Sequence, residues 1–212
     1  VRLDMALSGS EDTDWDNKTG TGDDRNCWKV TYDSKNYVVT EVAANAFAAT
    51  NSGLNIVIPS SVTKIGNYAF TGKTITSVDL AGVTEIGSYA FEGATFTGAT
   101  TNLIIMCDPS EGAFHNAIFA DNTSISLYLP EGTKKLNDRV FGLDKAPTSP
   151  STDGLTTIQL QQNSVLQTVG DFAFQNRTAL VKVGYPSGNN YYLPKTVTEI
   201  GNYAFAGCSA NA

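Results

Sequence analysis

A chain of 212 residues with 41% apolar and 17% charged side chains can bury a core, which excludes a wholly disordered protein. The net charge of −7, with basic residues scattered singly, excludes a basic stripe that could follow a phosphate backbone, so nucleic acid is not an expected partner. No apolar run approaches the roughly 20 residues that span a bilayer, so we expect no membrane span.

Residues 1–37 differ from the rest of the chain and are predicted to form an acidic segment followed by a capping hairpin. Within the acidic part, carboxylates occupy the first, third, fifth and twelfth positions of a calcium-loop spacing. The candidate ligands are Asp12, Asp14, Asp16 and Asp23. The twelfth position is aspartate rather than the usual glutamate, and no helix flanks the loop. A disordered acidic segment without calcium is the alternative.

Residues 27–39 are predicted to form a β-hairpin with residues 33–36 as its turn. Trp28, Tyr32 and Tyr37 supply aromatic side chains to this segment. Because the end coil of a repeat solenoid exposes an apolar edge, a hairpin here can cover that edge. We therefore expect a cap on a repeat domain that extends over residues 38–212.

An internal repeat follows the pattern Val-Thr-x-Ile-Gly-x-Tyr-Ala-Phe. It occurs at residues 62–70, 83–91 and 197–205, and weaker copies end at Phe47 and Phe174. Phe119 and Phe141 stand at the expected interval in degenerate copies, which predicts about seven units with a basic period near 22 residues. One coil of this length cannot bury its own apolar side chains, so the coils are expected to stack with an internal column of phenylalanines.

Other parts of the repeat unit depart from a uniform coil. The glycine of each Ile-Gly pair is expected to relieve crowding of a Cβ atom at a corner of the coil. Insertions at residues 142–154 and 184–190 are rich in turn-forming residues and predict projecting loops. The last unit is incomplete, and we expect the natural chain to continue or this end to pack on another molecule.

A short strand with alternating side chains is predicted in each unit. The expected strands are residues 55–58, 77–80, 103–106, 126–129, 157–160 and 191–193, joined in chain order into one curved parallel sheet. The side chains expected to point into the core are Ile56, Ile58, Val78, Leu80, Leu127, Leu129, Ile158, Leu160 and Leu193. Those expected to point outward are Val57, Asp79, Ile104, Tyr128, Gln159 and Tyr192.

This outward set is predicted to be a binding surface. Neighbouring strands bring the side chains to a spacing of about 4.8 Å, and tyrosine beside aliphatic and amide groups is typical of interfaces. A merely solvated sheet face is the alternative interpretation.

Cysteine and histidine give little indication of chemistry. Cys27, Cys107 and Cys208 cannot all pair and include no Cys-x-x-Cys motif, so unpaired thiols are expected. His115 is the single histidine, which excludes a site with several histidine ligands, and no Gly-x-Ser-x-Gly motif accompanies it.

The segment from Leu193 to Cys208 carries the pattern Leu-Pro-x-x-Val-x-x-Ile-Gly-x-x-Ala-Phe-x-Gly-Cys, which resembles the BspA-type, or Treponema-type, leucine-rich repeat family. The resemblance extends from about residue 38 to the end, although residues 107–150 lose the Ile-Gly pair. It implies an α/β repeat solenoid, a right-handed coil with one curved parallel β-sheet and short helical turns.

The same resemblance implies a function. It implies a bacterial protein that is secreted or displayed on the cell surface, with a lipid anchor as one option. Such a protein would bind a protein or glycan ligand, in adhesion or host interaction, without catalytic residues or an obligatory cofactor.

Two other functions are open. A parallel β-helix that processes polysaccharides would need charged residues converging on one face, but Lys64, Glu85 and Glu199 recur at one equivalent site and are typical of a solvated face. A structural spacer that presents another domain is the second alternative.

Overall fold

In the computed structural model, the described residues are 2–3, 29–32, 35–48, 55–97, 102–120, 125–147 and 153–209. These residues form β-strands connected by turns, and no helix occurs among them. The repeat therefore folds as stacked coils in which hydrogen bonds run mainly between neighbouring coils.

Two sheets contain all of the long strands of the repeat region, together with short ones. In the first, β5 (Asn55–Ile58), β7 (Thr74–Val78), β9 (Thr95–Phe96) and β11 (Ile118–Phe119) are parallel neighbours in chain order. In the second, β10 (Asn102–Ile104), β12 (Ile125–Tyr128), β14 (Leu155–Gln159) and β16 (Lys182–Ser187) are parallel, and β17 (Asn190–Tyr192) is antiparallel to β16.

The prediction of one sheet is therefore wrong. No pairing joins β7 to β10 in the described part of the chain. Strand β7 begins at Thr74 rather than at residue 77, and its register with β5 shifts between Ile56 and Val57, so Thr76 is accommodated as a bulge. The segments predicted as short helical turns form turns that do not extend into helices among these residues.

Shorter strands lie on the opposite part of each coil. One sheet contains β1 (Arg2–Leu3), β4 (Glu41–Val42), β6 (Lys64–Ile65) and β8 (Glu85–Ile86), and another contains β13 (Lys135–Leu136), β15 (Thr168–Val169) and β18 (Glu199–Ile200). All of these pairings are parallel and in chain order. The Val-Thr-x-Ile segments of the repeat thus form a second side of the solenoid.

The N-terminal hairpin is present as strands β2 (Lys29–Tyr32) and β3 (Lys35–Val38). The two strands are antiparallel, with Tyr32 opposite Lys35. The prediction of residues 33–36 as the turn is therefore wrong at Lys35 and Asn36, which belong to β3. Its role as a cap over the first coil remains a prediction.

The core contains the predicted column of phenylalanine rings. Successive rings stack at centroid distances of 4.9–5.7 Å, in the order Phe47, Phe70, Phe91, Phe114, Phe141, Phe174 and Phe205. The fourth member is Phe114, so the assignment of Phe119 to this column is wrong. Phe119 lies on β11 and stacks on Phe96 of β9 at 4.9 Å, which starts a second, shorter column.

The glycine of the Ile-Gly pair is required by the close approach of the preceding coil. A Cβ atom at Gly87 would lie 2.4 Å from Asn67 Oδ1 and 2.7 Å from the Asn67 backbone nitrogen. The same Asn67 oxygen accepts a hydrogen bond from the Ser88 backbone N–H at 2.9 Å. The predicted crowding of a Cβ atom at this corner is therefore confirmed. Glycine leaves room for the hydrogen bond between Asn67 and Ser88 of neighbouring coils.

A buried ion pair holds the end of the first insertion. Arg177 and Asp153 are both fully buried, and Arg177 Nη1 lies 2.8 Å from Asp153 Oδ2. The other Asp153 oxygen accepts the Phe119 backbone N–H, and Arg177 Nε donates to the Phe141 carbonyl oxygen. A buried carboxylate requires a charged or hydrogen-bonding partner inside the protein, and Arg177 supplies it. Because Asp153 is buried, the prediction that the insertion at residues 142–154 projects as a loop is wrong at this end.

Candidate binding surface

The second sheet aligns three of the predicted outward side chains. Ile104 pairs with Tyr128, and Tyr128 pairs with Gln159, so these side chains lie on neighbouring strands at the same level. Their neighbours Leu103, Leu127 and Ile158 are buried in the core. The predicted alternation is confirmed here. We call the surface formed by the exposed Ile104 and Met106 and the half-buried Tyr128 and Gln159 the exposed sheet face.

Met106 is a member of this face that the sequence interpretation missed. It is 55% exposed, Ile104 is 45% exposed, and the intervening Ile105 is buried. The same period-two alternation that selected Ile104 would also have found Met106 two residues later. Strand β10 and the two residues after it therefore present two exposed apolar side chains, Ile104 and Met106.

Val57 and Asp79 do not join this row. Val57 is half-buried on β5 and pairs with Ser77, in the first sheet. Asp79 is exposed beyond the end of β7, where its carboxylate accepts the Ala81 backbone N–H at 3.0 Å. The predicted stripe of six residues is divided because the long strands form two sheets.

Tyr192 reaches the second sheet by a different route from the one predicted. It lies on the antiparallel strand β17, opposite Tyr185, and not on a parallel strand beside Gln159. The chain reverses at Gly188 and Asn189, a two-residue loop in which Gly188 has φ +63°. A Gly-Asn pair between two strand-forming segments is a hairpin signal that the sequence interpretation did not use.

The candidate calcium ligands Asp12, Asp14, Asp16 and Asp23 lie outside the described residues. Among the residues that the structure does describe, no group of three or more histidine, cysteine or acidic side chains could hold a metal ion.

His115 lies between two acidic side chains on neighbouring coils. Its Nε2 is 3.2 Å from Asp144 Oδ1 and its Nδ1 is 3.6 Å from Glu92 Oε1. A hydrogen bond from Asn116 and the neighbouring His115 lower the pKa of Asp144 below its usual value. Both ring nitrogens of His115 face carboxylates. These contacts link neighbouring coils, and neither nitrogen is directed at solvent, where a substrate would bind.

Cys107 and Cys208 are free thiols, as predicted, and Cys27 lies outside the described residues. Burial raises the pKa of each described thiol to about 11. Since the thiolate is the reactive form, both thiols are largely unreactive at neutral pH.

The charges that recur in the repeat lie on the short strands. Lys64 pairs with Glu85 across β6 and β8, with 3.9 Å between Lys64 Nζ and Glu85 Oε2, and both side chains are exposed. Glu199 is exposed on β18, in the other short-strand sheet. These charges thus lie apart from the exposed sheet face.

A second surface row was not anticipated from the sequence. One residue of most coils has φ between 56° and 58° although it carries a bulky side chain, namely Tyr68, Tyr89, Arg139, Phe172 and Tyr203. Tyr68 stacks on Tyr89 at 5.3 Å, and Phe172 lies between the Arg139 guanidinium and the Tyr203 ring. Left-handed backbone is costly for bulky residues, and stacking offsets this cost.

Comparisons with known proteins agree with this architecture. A family model described as the BspA type leucine rich repeat region matches residues 40–148 and 187–212, in 6 copies. A leucine rich cell surface protein from Faecalibacterium prausnitzii A2-165 has a similar solved structure, with a TM-score of 0.54 and 24% sequence identity over 85% of this chain. The chain covers 43% of that protein, less than half its length. No curated protein matches the chain.

Proposed function

Because this chain belongs to the BspA-type leucine-rich repeat family, we propose that it is a non-enzymatic scaffold on the bacterial surface that binds a protein or glycan ligand across its exposed sheet face. Adhesion or host interaction is the role that such a scaffold would have.

The alignment of outward-pointing side chains on the second sheet carries this proposal. Ile104, Tyr128 and Gln159 lie side by side, and Met106 extends the row. Solubility alone favours short polar side chains at such positions, because each exposed aliphatic group leaves apolar area in water. A contiguous group of aliphatic, aromatic and amide side chains is typical of an interface.

A structurally similar protein supports a scaffold on the cell surface. The structurally similar protein from F. prausnitzii is described as a cell surface protein. In the described part of this chain, no helix is long and apolar enough to cross a membrane. Among the charges that recur in the repeat, Lys64 and Glu85 form an exposed pair, which supports a solvated surface there and not a catalytic one.

Replacing both Tyr128 and Tyr192 with alanine should weaken ligand binding while leaving the fold intact. Both side chains lie outside the core, and interface aromatics contribute about 1–3 kcal/mol each when truncated. The measurement is binding of the intact chain to an array of bacterial and host glycans and to a panel of purified extracellular proteins. The matched control replaces Tyr68 and Tyr203, two exposed tyrosines on the other surface row.

The proposal predicts at least one bound probe whose signal is lost in the Tyr128/Tyr192 variant and kept in the control. Equal loss in both variants, or binding that neither variant alters, would contradict it. Hydrolysis or cleavage of any glycan by the chain would contradict the non-enzymatic part.

A further inference from the structure

We propose that the coil formed by residues 102–119 is a bending joint in the solenoid, which opens on its short-strand side between Pro109 and Asn137. Bending at this joint changes the angle between the coils that precede it and the coils that follow it. The inference is independent of the proposed function, because it rests on the hydrogen bonds and the packing between coils.

The ladder of short strands is interrupted at this coil. One short-strand sheet ends at β8, and the other begins at β13. Residues 108–110 pass between these two strands without forming a strand themselves. The Ser110 backbone N–H donates to the Ile86 carbonyl oxygen at 3.1 Å. Pro109 therefore stands beside Ile86, at the position that an aliphatic strand residue has in the other coils.

Other junctions between coils are closed on this side by backbone hydrogen bonds. In each of them a glycine N–H donates to the carbonyl oxygen of the aliphatic strand residue one coil earlier. These links, at 2.7–2.9 Å, join Gly66 to Val42, Gly87 to Ile65, Gly170 to Leu136 and Gly201 to Val169. In the described part of the chain, by contrast, no backbone hydrogen bond joins residues 105–110 to residues 131–137.

Pro109 accounts for part of this gap. N–H groups alternate in direction along a strand, and the Ser110 N–H points to the preceding coil, so a donor at position 109 would point to the following coil. Proline has no N–H to donate. Instead, Asn137 Nδ2 of the following coil donates to the Pro109 carbonyl oxygen at 3.0 Å. A side chain can leave such a position by rotation about its own bonds, whereas a ladder bond breaks only when the backbone moves.

The turn side of the same coil is held more firmly. Phe114 stacks on Phe91 at 5.0 Å and on Phe141 at 5.4 Å. Asn116 and Asp144 exchange two hydrogen bonds between this coil and the next, at 2.8 and 2.9 Å. The turn side therefore acts as the hinge, and the short-strand side can open with the loss of fewer hydrogen bonds.

Pairs of nitroxide labels on the short strands measure the bending. The joint pair, Glu85→Cys with Lys135→Cys, spans the interruption, and the control pair, Glu41→Cys with Glu85→Cys, spans two strand spacings of the continuous sheet. Cys27, Cys107 and Cys208 are replaced by serine in the full chain. Two strand spacings are about 10 Å, a separation that dipolar broadening in EPR spectra of frozen samples resolves. We expect the distance distribution of the joint pair to be about twofold broader than that of the control pair.

Three substitutions test the cause of this difference. Asn137→Ala removes the side-chain closure and should broaden the distribution of the joint pair further. Asn67→Ala, which removes one hydrogen bond between coils of the continuous sheet, should leave it unchanged. Pro109→Val restores a backbone donor at this position and should narrow the distribution toward that of the control pair. Thermal unfolding verifies that each labelled variant is folded.

Hydrogen exchange of the natural chain supplies a second measurement that needs no substitution. The Lys134 and Lys135 amides should exchange about tenfold or more faster than the amides of Gln167 and Thr168, which donate to the Lys134 carbonyl oxygen. Equal widths for the two label pairs, or equal effects of Asn137→Ala and Asn67→Ala on the joint pair, would overturn the inference. Equal exchange rates at the two sets of amides would also overturn it.

Discussion

Replacing Phe114 with alanine is expected to lower the free energy of unfolding by about 3–5 kcal/mol, as for other buried phenylalanines. Phe114 is fully buried and stacks on Phe91 at 5.0 Å and on Phe141 at 5.4 Å. Its removal would leave a cavity between coils and interrupt the column at its centre. Chemical denaturation of the intact chain, followed by circular dichroism, measures this loss.

Phe172→Ala is the matched control for this change. Phe172 is half-buried in the outer row, where it contacts Arg139 and Tyr203 and no core phenylalanine ring. Its loss should cost about 0.5–1.5 kcal/mol, the value of an aromatic pair. Equal effects of the two substitutions would mean that Phe114 does not belong to the core column.

Replacing Arg177 with methionine should also cost about 3–5 kcal/mol, because it leaves the Asp153 carboxylate buried without its partner. The change is expected to loosen the connection between the first insertion and strand β14 as well. Both effects follow from the complete burial of the pair. Denaturant unfolding gives the first effect, and limited proteolysis near residue 153 gives the second.

The double variant Arg177→Met with Asp153→Asn separates charge from packing. Asparagine carries no charge and keeps an oxygen for the Phe119 backbone N–H, so the double variant should be more stable than Arg177→Met alone. Lys64→Met, which removes an exposed ion pair, should change stability by less than about 1 kcal/mol. An Arg177→Met variant as stable as Lys64→Met would contradict the account of the buried pair.

The alternation of inward and outward side chains could be predicted from the sequence. Leu127 and Leu129 are buried on either side of Tyr128, and Ile158 and Leu160 are buried on either side of Gln159. Period-two patterning determines this result locally, because a one-residue slip would move all the apolar side chains into solvent.

The arrangement of the strands depended on contacts that alternation does not encode. The bulge at Thr76 and the absence of pairing between β7 and β10 among the described residues are examples. Side-chain alternation predicted residues 191–193 as a strand of the parallel sheet, but β17 folds back antiparallel to β16. The Gly188-Asn189 pair that forms the loop of this hairpin is nevertheless a turn signal that could have been recognised in the sequence.

Two core features required tertiary information. Ala113-Phe114 and Ile118-Phe119 are both acceptable phenylalanine positions by spacing, and ring stacking between coils selects Phe114. Arg177 and Asp153 are 24 residues apart in sequence, and nothing in their local sequence indicates that both are buried. Coil stacking brings them together.

Hydroxyl-radical footprinting of the chain with its bound probe tests most directly whether ligands contact the exposed sheet face. Met106 and Tyr128 lie on that face and are readily oxidised side chains, which mass spectrometry can quantify one residue at a time. Tyr203, 66% exposed on the outer row, provides an internal reference in the same sample.

A bound peptide, protein or glycan is expected to slow oxidation of Met106 and Tyr128 several-fold and to leave oxidation of Tyr203 unchanged. Protection of Tyr203 with undiminished oxidation of Met106 and Tyr128 would contradict it, because the ligand would then occupy the outer row and not the sheet.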